Sequence, residues 1–283
     1  MATGCWLESV GDFVNRLGVF ARVAALWLLV YAAPVHAEID HQAWTALLQE
    51  HVRVIDGGQA TQVDYQGMND DRAALRAYLD ALAAVSREDF EQWAQDEQLA
   101  FLINAYNAWT VELILTEYPD IDSIRDIGGW FGSPWGQDIV ELFGERYTLD
   151  NVEHDMIRGW NRYNNPLIHF AVNCASIGCP ALRNEAYTGE QLAAQLDEQT
   201  RLFLADRSRN RIEDGRARVS EIFRWYPEDF EQGWMGYQRV GEFLADYASA
   251  LGATAEQADA LLSGDMAIRY LDYDWALNDI PGS

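Results

Sequence analysis

A loop of small residues carrying Cys174, Ser176, Gly178, Cys179 and Pro180 holds the most nucleophilic atoms of this chain. A thiol that is deprotonated near neutral pH attacks electrophiles strongly, and a neighbouring imidazole lowers its pKa into that range. Two imidazoles stand nearby in sequence, His154 and His169. If residues 167–173 alternate as a strand, His169 and Asn173 share one face while Cys174 opens the other. His154 is then as good a partner for the sulfur as His169. Glu153 precedes His154 directly, and on a helix the two side chains point about 100° apart, so they form no self-contained pair. Asn104 and Asn107 lie three residues apart on one face of an otherwise apolar segment. Amides there either orient an imidazole or an oxyanion, or tie loop backbone to a helix.

Three chemistries fit these residue types. The first is a thiol-dependent hydrolase or acyl transferase, with Cys174 as nucleophile, His154 or His169 as base, and Asn104 or Glu153 holding the imidazole in its useful tautomer. The second is a non-catalytic binding or scaffold protein in which Cys174 and Cys179 close a small disulfide loop. Such a loop would present Ser176, Arg183 and the aromatic residues as a recognition surface; the binding residues expected of the site as a whole are Asn107, Asn173, Ser176, Cys179 and Arg183. The third is a metal site, since His154, His169, Cys174 and Cys179 are zinc-ligand types; their cysteine spacing is wider than that of the commonest knuckles, so no metal is assigned. No cofactor follows from the residues.

The elements that must position these groups change character along the chain. Residues 39–54 and 70–84 place apolar side chains at helical spacing. Ser86 with Asp89 reads as a capping box, and residues 98–118 are apolar on nearly every side and stop before Pro119, the pattern of a helix at the centre of a domain. Asp150 is the expected N-cap of the helix carrying Glu153 and His154. Residues 139–143 and 146–149 flank Gly144-Glu145 as a hairpin, and residues 211–213 and 216–219 flank Asp214-Gly215 as another. Residues 167–172 and 267–273 read as strands, Thr188 with Gln191 as the cap of a helix to about Leu204, and residues 240–251 as a further helix. Helices first and hairpins later predict an α+β fold in one compact domain, its helix-rich N-terminal half packed on a small, mostly antiparallel sheet. Phe223, Trp225, Tyr226 and Phe230 are expected to pack on the core rather than to line a groove. Asp272 and Asp274 are expected on a solvated face.

Several longer motifs, in order, resemble the domain of unknown function 547 family. They are Asn104-Ala-Tyr-Asn107, Glu153-His154, the run from His169 through Asn173-Cys174-Ala-Ser176 to Cys179-Pro180-Ala-Leu182, the aromatic stretch from Ile222 to Phe230, and Tyr273-Asp-Trp275 to Asn278. The resemblance spans about residues 95–279. It implies that both thiols, the two Asn residues and the Glu-His pair are family features; it brings no activity with it.

An apolar run over residues 23–33 follows Arg16 and Arg22 and precedes Val35 and Ala37, which suit the −3 and −1 positions of a signal-peptidase site. Residues 1–37 are therefore expected to be an export signal, residues 38–283 the mature α+β domain, and the protein periplasmic or secreted. The run is too short to span a bilayer as a helix, and no transmembrane span is expected in the mature chain. The net charge of −25 is unchanged by removal of residues 1–37, which hold two acidic and two basic side chains. So acidic a chain repels nucleic acid and anionic lipid, leaving an unidentified substrate or envelope partner. Cys5 would leave with the signal, and two remaining cysteines make no disulfide framework.

Overall fold

The segment Gln95–Leu115 forms a helix in which every residue from Glu97 onward is buried. With no polar stripe to turn toward water, such a helix takes the centre of a fold. A computed structural model of the chain describes residues 39–128 and 132–280; the expected signal segment, including Cys5, lies outside them. Helices Tyr65–Asp70, Arg72–Ala83 and Leu192–Ala205 pack on the central helix, as does a π-helix, Asn151–Arg158. Arg72–Ala83 does so with the stripe Leu75, Tyr78, Leu79 and Leu82, the spacing expected of an amphipathic helix. One continuous apolar core runs from Trp44 to Leu261. No described helix is long and apolar enough to cross a membrane.

Gln98, Thr110 and Glu112 of the central helix are buried and bonded, as burial demands. Gln98 donates to the carbonyls of Phe90 and Trp93. Thr110 donates to the Tyr106 carbonyl one turn back. Glu112 accepts from Arg72 and Arg76 on the neighbouring helix.

The strands form three small sheets. Val52–Ile55 pairs antiparallel with Ala60–Val63, and Val140–Leu142 pairs antiparallel with Glu145–Tyr147. Arg211–Glu213 pairs antiparallel with Arg216–Ser220, which in turn pairs in parallel with Ile268–Leu271. The α+β class holds, with helices dominant and antiparallel pairing prevalent.

Several local expectations are corrected. The first helix is Gln42–His51, and the chain leaves it directly into a strand. The buried run at residues 167–172 is a 3₁₀ turn, Pro166–Phe170, because Pro166 fixes the first helical φ and the Asn165 side chain accepts from the Leu167 amide at 2.9 Å. Thr148, not Asp150, caps the helix ahead of His154: its hydroxyl accepts from the Asn151 amide at 3.0 Å, and the Asn151 side chain returns a bond to the Thr148 amide. The helix ending at Ala205 begins at Leu192, with Thr188 in the preceding turn. Residues 240–251 are two helices, Val240–Asp246 and Ala248–Leu251, broken at Tyr247. The Asp214-Gly215 hairpin turn forms as expected, whereas the other turn is Phe143-Gly144, both residues at positive φ.

Candidate active site

The cysteine loop is suspended between the central helix and a later segment of chain. From below, Asn107 donates to the Ala171 carbonyl at 2.9 Å and accepts from the Asn173 amide at 2.8 Å. The Asn173 side chain closes the loop across itself, accepting from the Ala175 amide at 2.9 Å and donating to the Pro180 carbonyl at 2.7 Å. Between them Ala175 is held at φ +60°, a conformation costing a non-glycine residue about 1–2 kcal/mol that its two flanking anchors must offset. From above, residues 175–178 run beside residues 274–278: the Ile177 amide donates to Ala276 and the Gly178 amide to Asp274, each at 2.8 Å. A Cβ at position 178 would sit 2.9 Å from the Asp274 carbonyl oxygen, so this approach requires glycine.

That double suspension concentrates donors on one sulfur. Cys174 Sγ lies 2.9 Å from Cys179 Sγ, 3.0 Å from Tyr273 Oη and 3.2 Å from Ser176 Oγ. Both cysteines are free thiols. The two hydroxyls are also 3.0 Å from each other, so their two protons serve three contacts. Either both donate to sulfur, or one relays through the other; with the Cys179 S–H, two or three donors then reach Cys174. The Cys179 thiol, followed by Ser176 and Tyr273, lowers the Cys174 pKa against the opposing effect of burial. Burial and the neighbouring Cys174 charge raise Cys179 well above the ordinary thiol value, although the Cys174 amide donates to its sulfur at 2.9 Å. The two thiols are thus shifted in opposite directions, Cys174 downward and Cys179 upward.

Cys174 and Cys179 line a cavity of about 240 Å³ together with Asp150, Glu153, His154 and His169. The aromatic wall is formed by Trp135, Trp225, Tyr226, Tyr273 and Trp275. The π-helix brings Glu153 and His154 to it; wide turns of this kind recur at functional sites. Each imidazole already has a polar partner. His169 donates through Nε2 to Asp229 at 2.7 Å and stacks on Tyr226 with ring centres 4.2 Å apart. Asp229 also takes a bidentate pair from Arg158. His154 Nδ1 accepts from Arg158 at 3.1 Å, which puts its proton on Nε2, because a guanidinium only donates. Burial, then the adjacent Glu153, raises the Tyr226 pKa. Burial likewise raises Asp150.

The expected site residues therefore divide. Cys174, Cys179, Glu153, His154 and His169 meet around one cavity, with Ser176 bonded at the sulfur. Neither imidazole hydrogen-bonds to either sulfur among the described residues. Asn104 does not reach an imidazole; its amide exchanges two hydrogen bonds, 2.8 and 2.9 Å, with the Tyr187 backbone. Asn107 and Asn173 hold the loop from behind. Arg183 lies elsewhere, paired with Glu185 and Glu198. Among the described residues no three His, Cys, Asp or Glu side chains group to hold a metal ion, so the zinc alternative lacks a ligand set. Phe223 and Phe230 are core residues, as expected, but Trp225 and Tyr226 line the cavity. Asp272 and Asp274 are exposed. The residues that sequence reasoning missed are Tyr273 as a sulfur ligand, Asp229 and Arg158 as partners of the imidazoles, and Trp135 and Trp275 in the wall. The Tyr273-Asp-Trp275 motif was the available signal for two of these.

The two central-helix asparagines separate by experiment. Either Asn104→Ala or Asn107→Ala leaves a buried carbonyl and a buried amide unpaired, each costing about 1–3 kcal/mol. Both variants are expected to lose stability in urea unfolding. Only Asn107→Ala should also alter the alkylation rate of Cys174, because only Asn107 anchors its loop. Equal rates in the two variants would contradict that assignment.

Residues 90–204 match the family described as "Protein of unknown function, DUF547". The match contains both asparagines, Glu153, both imidazoles and both thiols; Trp225, Asp229, Tyr273 and Trp275 lie beyond it. No curated protein and no solved structure gives a significant match.

Proposed function

The chain carries a domain of the DUF547 family over residues 90–204, and we propose that it is a thiol–disulfide exchange protein in which Cys174 attacks and Cys179 resolves. The observation that carries this reading is the contact of two free sulfurs at 2.9 Å with opposite preparation, Cys174 lowered and Cys179 raised in pKa. Donation from Cys179, Ser176 and Tyr273 favours the thiolate form of the attacking sulfur. It bonds to one sulfur of a partner disulfide, and the partner's second sulfur departs as a thiolate that takes a proton. Cys179 then loses its proton and attacks Cys174 Sγ, releasing the partner's first sulfur as a thiolate that is also protonated. The partner gains two electrons and two protons, and the protein retains an intramolecular disulfide; the reverse sequence oxidises a dithiol. The signal-like residues 1–37 support an exported protein, in a compartment where such disulfides persist.

A second reading, acyl transfer, is favoured by one feature. His169 commits Nε2 to Asp229, the arrangement by which a carboxylate orients a catalytic imidazole. There Cys174 would attack a carbonyl carbon, and an imidazole across the cavity would protonate the leaving group.

Mass spectrometry in glutathione buffers of graded potential tests the first reading. The wild type is expected to interconvert between forms differing by two hydrogens. Cys179→Ser is expected to stop at a Cys174–glutathione mixed disulfide. No two-hydrogen change at any potential would sink the exchange mechanism, and ester or thioester turnover surviving Cys179→Ser would favour acyl transfer.

A further inference from the structure

We infer that the cavity over Cys174 selects substrates bearing an organic ammonium group. The inference concerns the ligand class of the site proposed above and rests on that reading only for the sulfur the ligand would deliver; the charge preference comes from the walls.

One wall is a contiguous aromatic face. Trp225 and Trp275 stack with centres 5.6 Å apart, and Tyr273 lies 4.8 and 4.5 Å from them. Trp225 keeps about a third of its surface exposed at the cavity rim, although an indole of this size is normally buried in a core. Aromatic faces carry negative quadrupoles that attract cations, tryptophan most strongly. This wall already does so: the Arg125 guanidinium lies 5.2 Å from the Trp275 ring centre.

The remaining lining adds negative charge without a fixed positive one. Asp150 and the buried Glu153 both contribute, and no Lys or Arg lines the cavity. Arg158, which bonds the lining residue His154, is engaged by Asp229 and Glu228 and covers Tyr226 at 4.7 Å. A thiolate at Cys174 adds further negative charge. An anionic ligand would meet carboxylate, thiolate and ring faces together. A quaternary or protonated amine satisfies all three. The chain's net charge of −25 also draws cations toward the surface.

The test separates ligand class from sulfur chemistry by using Cys174→Ser protein, in which no exchange can occur. Tryptophan fluorescence is titrated with choline and with its uncharged carbon isostere, 3,3-dimethylbutanol. Choline is expected to bind at least tenfold more tightly. That advantage should fall about tenfold in Glu153→Gln, and in Trp225→Leu, with near-ultraviolet circular dichroism checking that each variant is folded. In the wild type, a trimethylammonium-ethyl methanethiosulfonate should modify Cys174 at least tenfold faster than the sulfonatoethyl reagent, after correction for their rates with a free thiol. Equal binding of choline and its isostere, or no binding of either, overturns the inference. Disulfide exchange without choline preference sinks the ligand class alone; choline preference without exchange sinks the redox reading alone.

Discussion

Alkylation of Cys174 by iodoacetamide is expected to remain fast at a pH where an ordinary thiol, with a pKa of about 8.5, is mostly protonated. The lowered Cys174 pKa follows from donation by Cys179, Ser176 and Tyr273. The thiolate is therefore populated below the usual thiol range and is lost only as pH falls through the depressed value. A hydrogen bond to a charged group contributes about 1.5–3 kcal/mol, and about 1.4 kcal/mol corresponds to one pH unit. Tyr273→Phe and Cys179→Ala should each raise the midpoint of the rate profile by about one pH unit or more. Cys174→Ser should abolish the fast phase altogether. A wild-type midpoint at the ordinary thiol value, unmoved by either substitution, would show that the convergence of donors has no chemical effect.

The largest loss of stability is expected from Asp229→Ala. Asp229 and His169 have side chains only 2% and 1% exposed, and the same carboxylate holds Arg158. Removing one member of a buried charged set typically costs about 3–5 kcal/mol; here His169 would lose its acceptor while Arg158 kept only Glu228 and His154. Burial alone would raise the Asp229 pKa, but His169 and Arg158 outweigh it and leave it below the usual value. Its contribution is thus fully present above about pH 4, near the value in an unfolded chain, and is lost as pH falls through the depressed pKa. Urea unfolding at neutral pH should show the destabilisation, and the variant's stability should decline less steeply on acidification than the wild type's. A loss under about 1 kcal/mol would mean that this network does not hold the two imidazole-bearing segments together.

Much of the site was legible where the signal is chemical and local. Cys174, Cys179, His154, His169 and Glu153 are residue types able to act as nucleophile, base or orienting group, and all five line the cavity. What those groups bond to was not legible, because the partners come from far along the chain: Asp229 is 60 residues from His169, and Tyr273 is 99 from Cys174. Periodicity does not foresee such convergence. Asn104 and Asn107 show the same limit, since a shared helix face leads one to the Tyr187 backbone and the other to the cysteine loop.

For the fold, long periodic helices were readable and short runs were not. Residues 167–172 carry no alternation to distinguish strand from turn, and Asn165 with Pro166 decides the matter locally. The turn at Phe143 was hidden for another reason. Phenylalanine is a poor candidate for positive φ, yet its ring lies 4.9 Å from Phe90 and 6.0 Å from Phe101, so tertiary packing overrides local preference.

The pairing of residues 175–178 with 274–278 also has a consequence in time. A ribosome adding about 5–20 residues per second makes Tyr273 roughly 5–20 s after Cys174, given the 99 positions between them. Throughout that interval the nascent thiol lacks its phenolic donor and the strap over its loop. The Tyr273 share of the lowered Cys174 pKa therefore cannot exist before the later stretch has been synthesised.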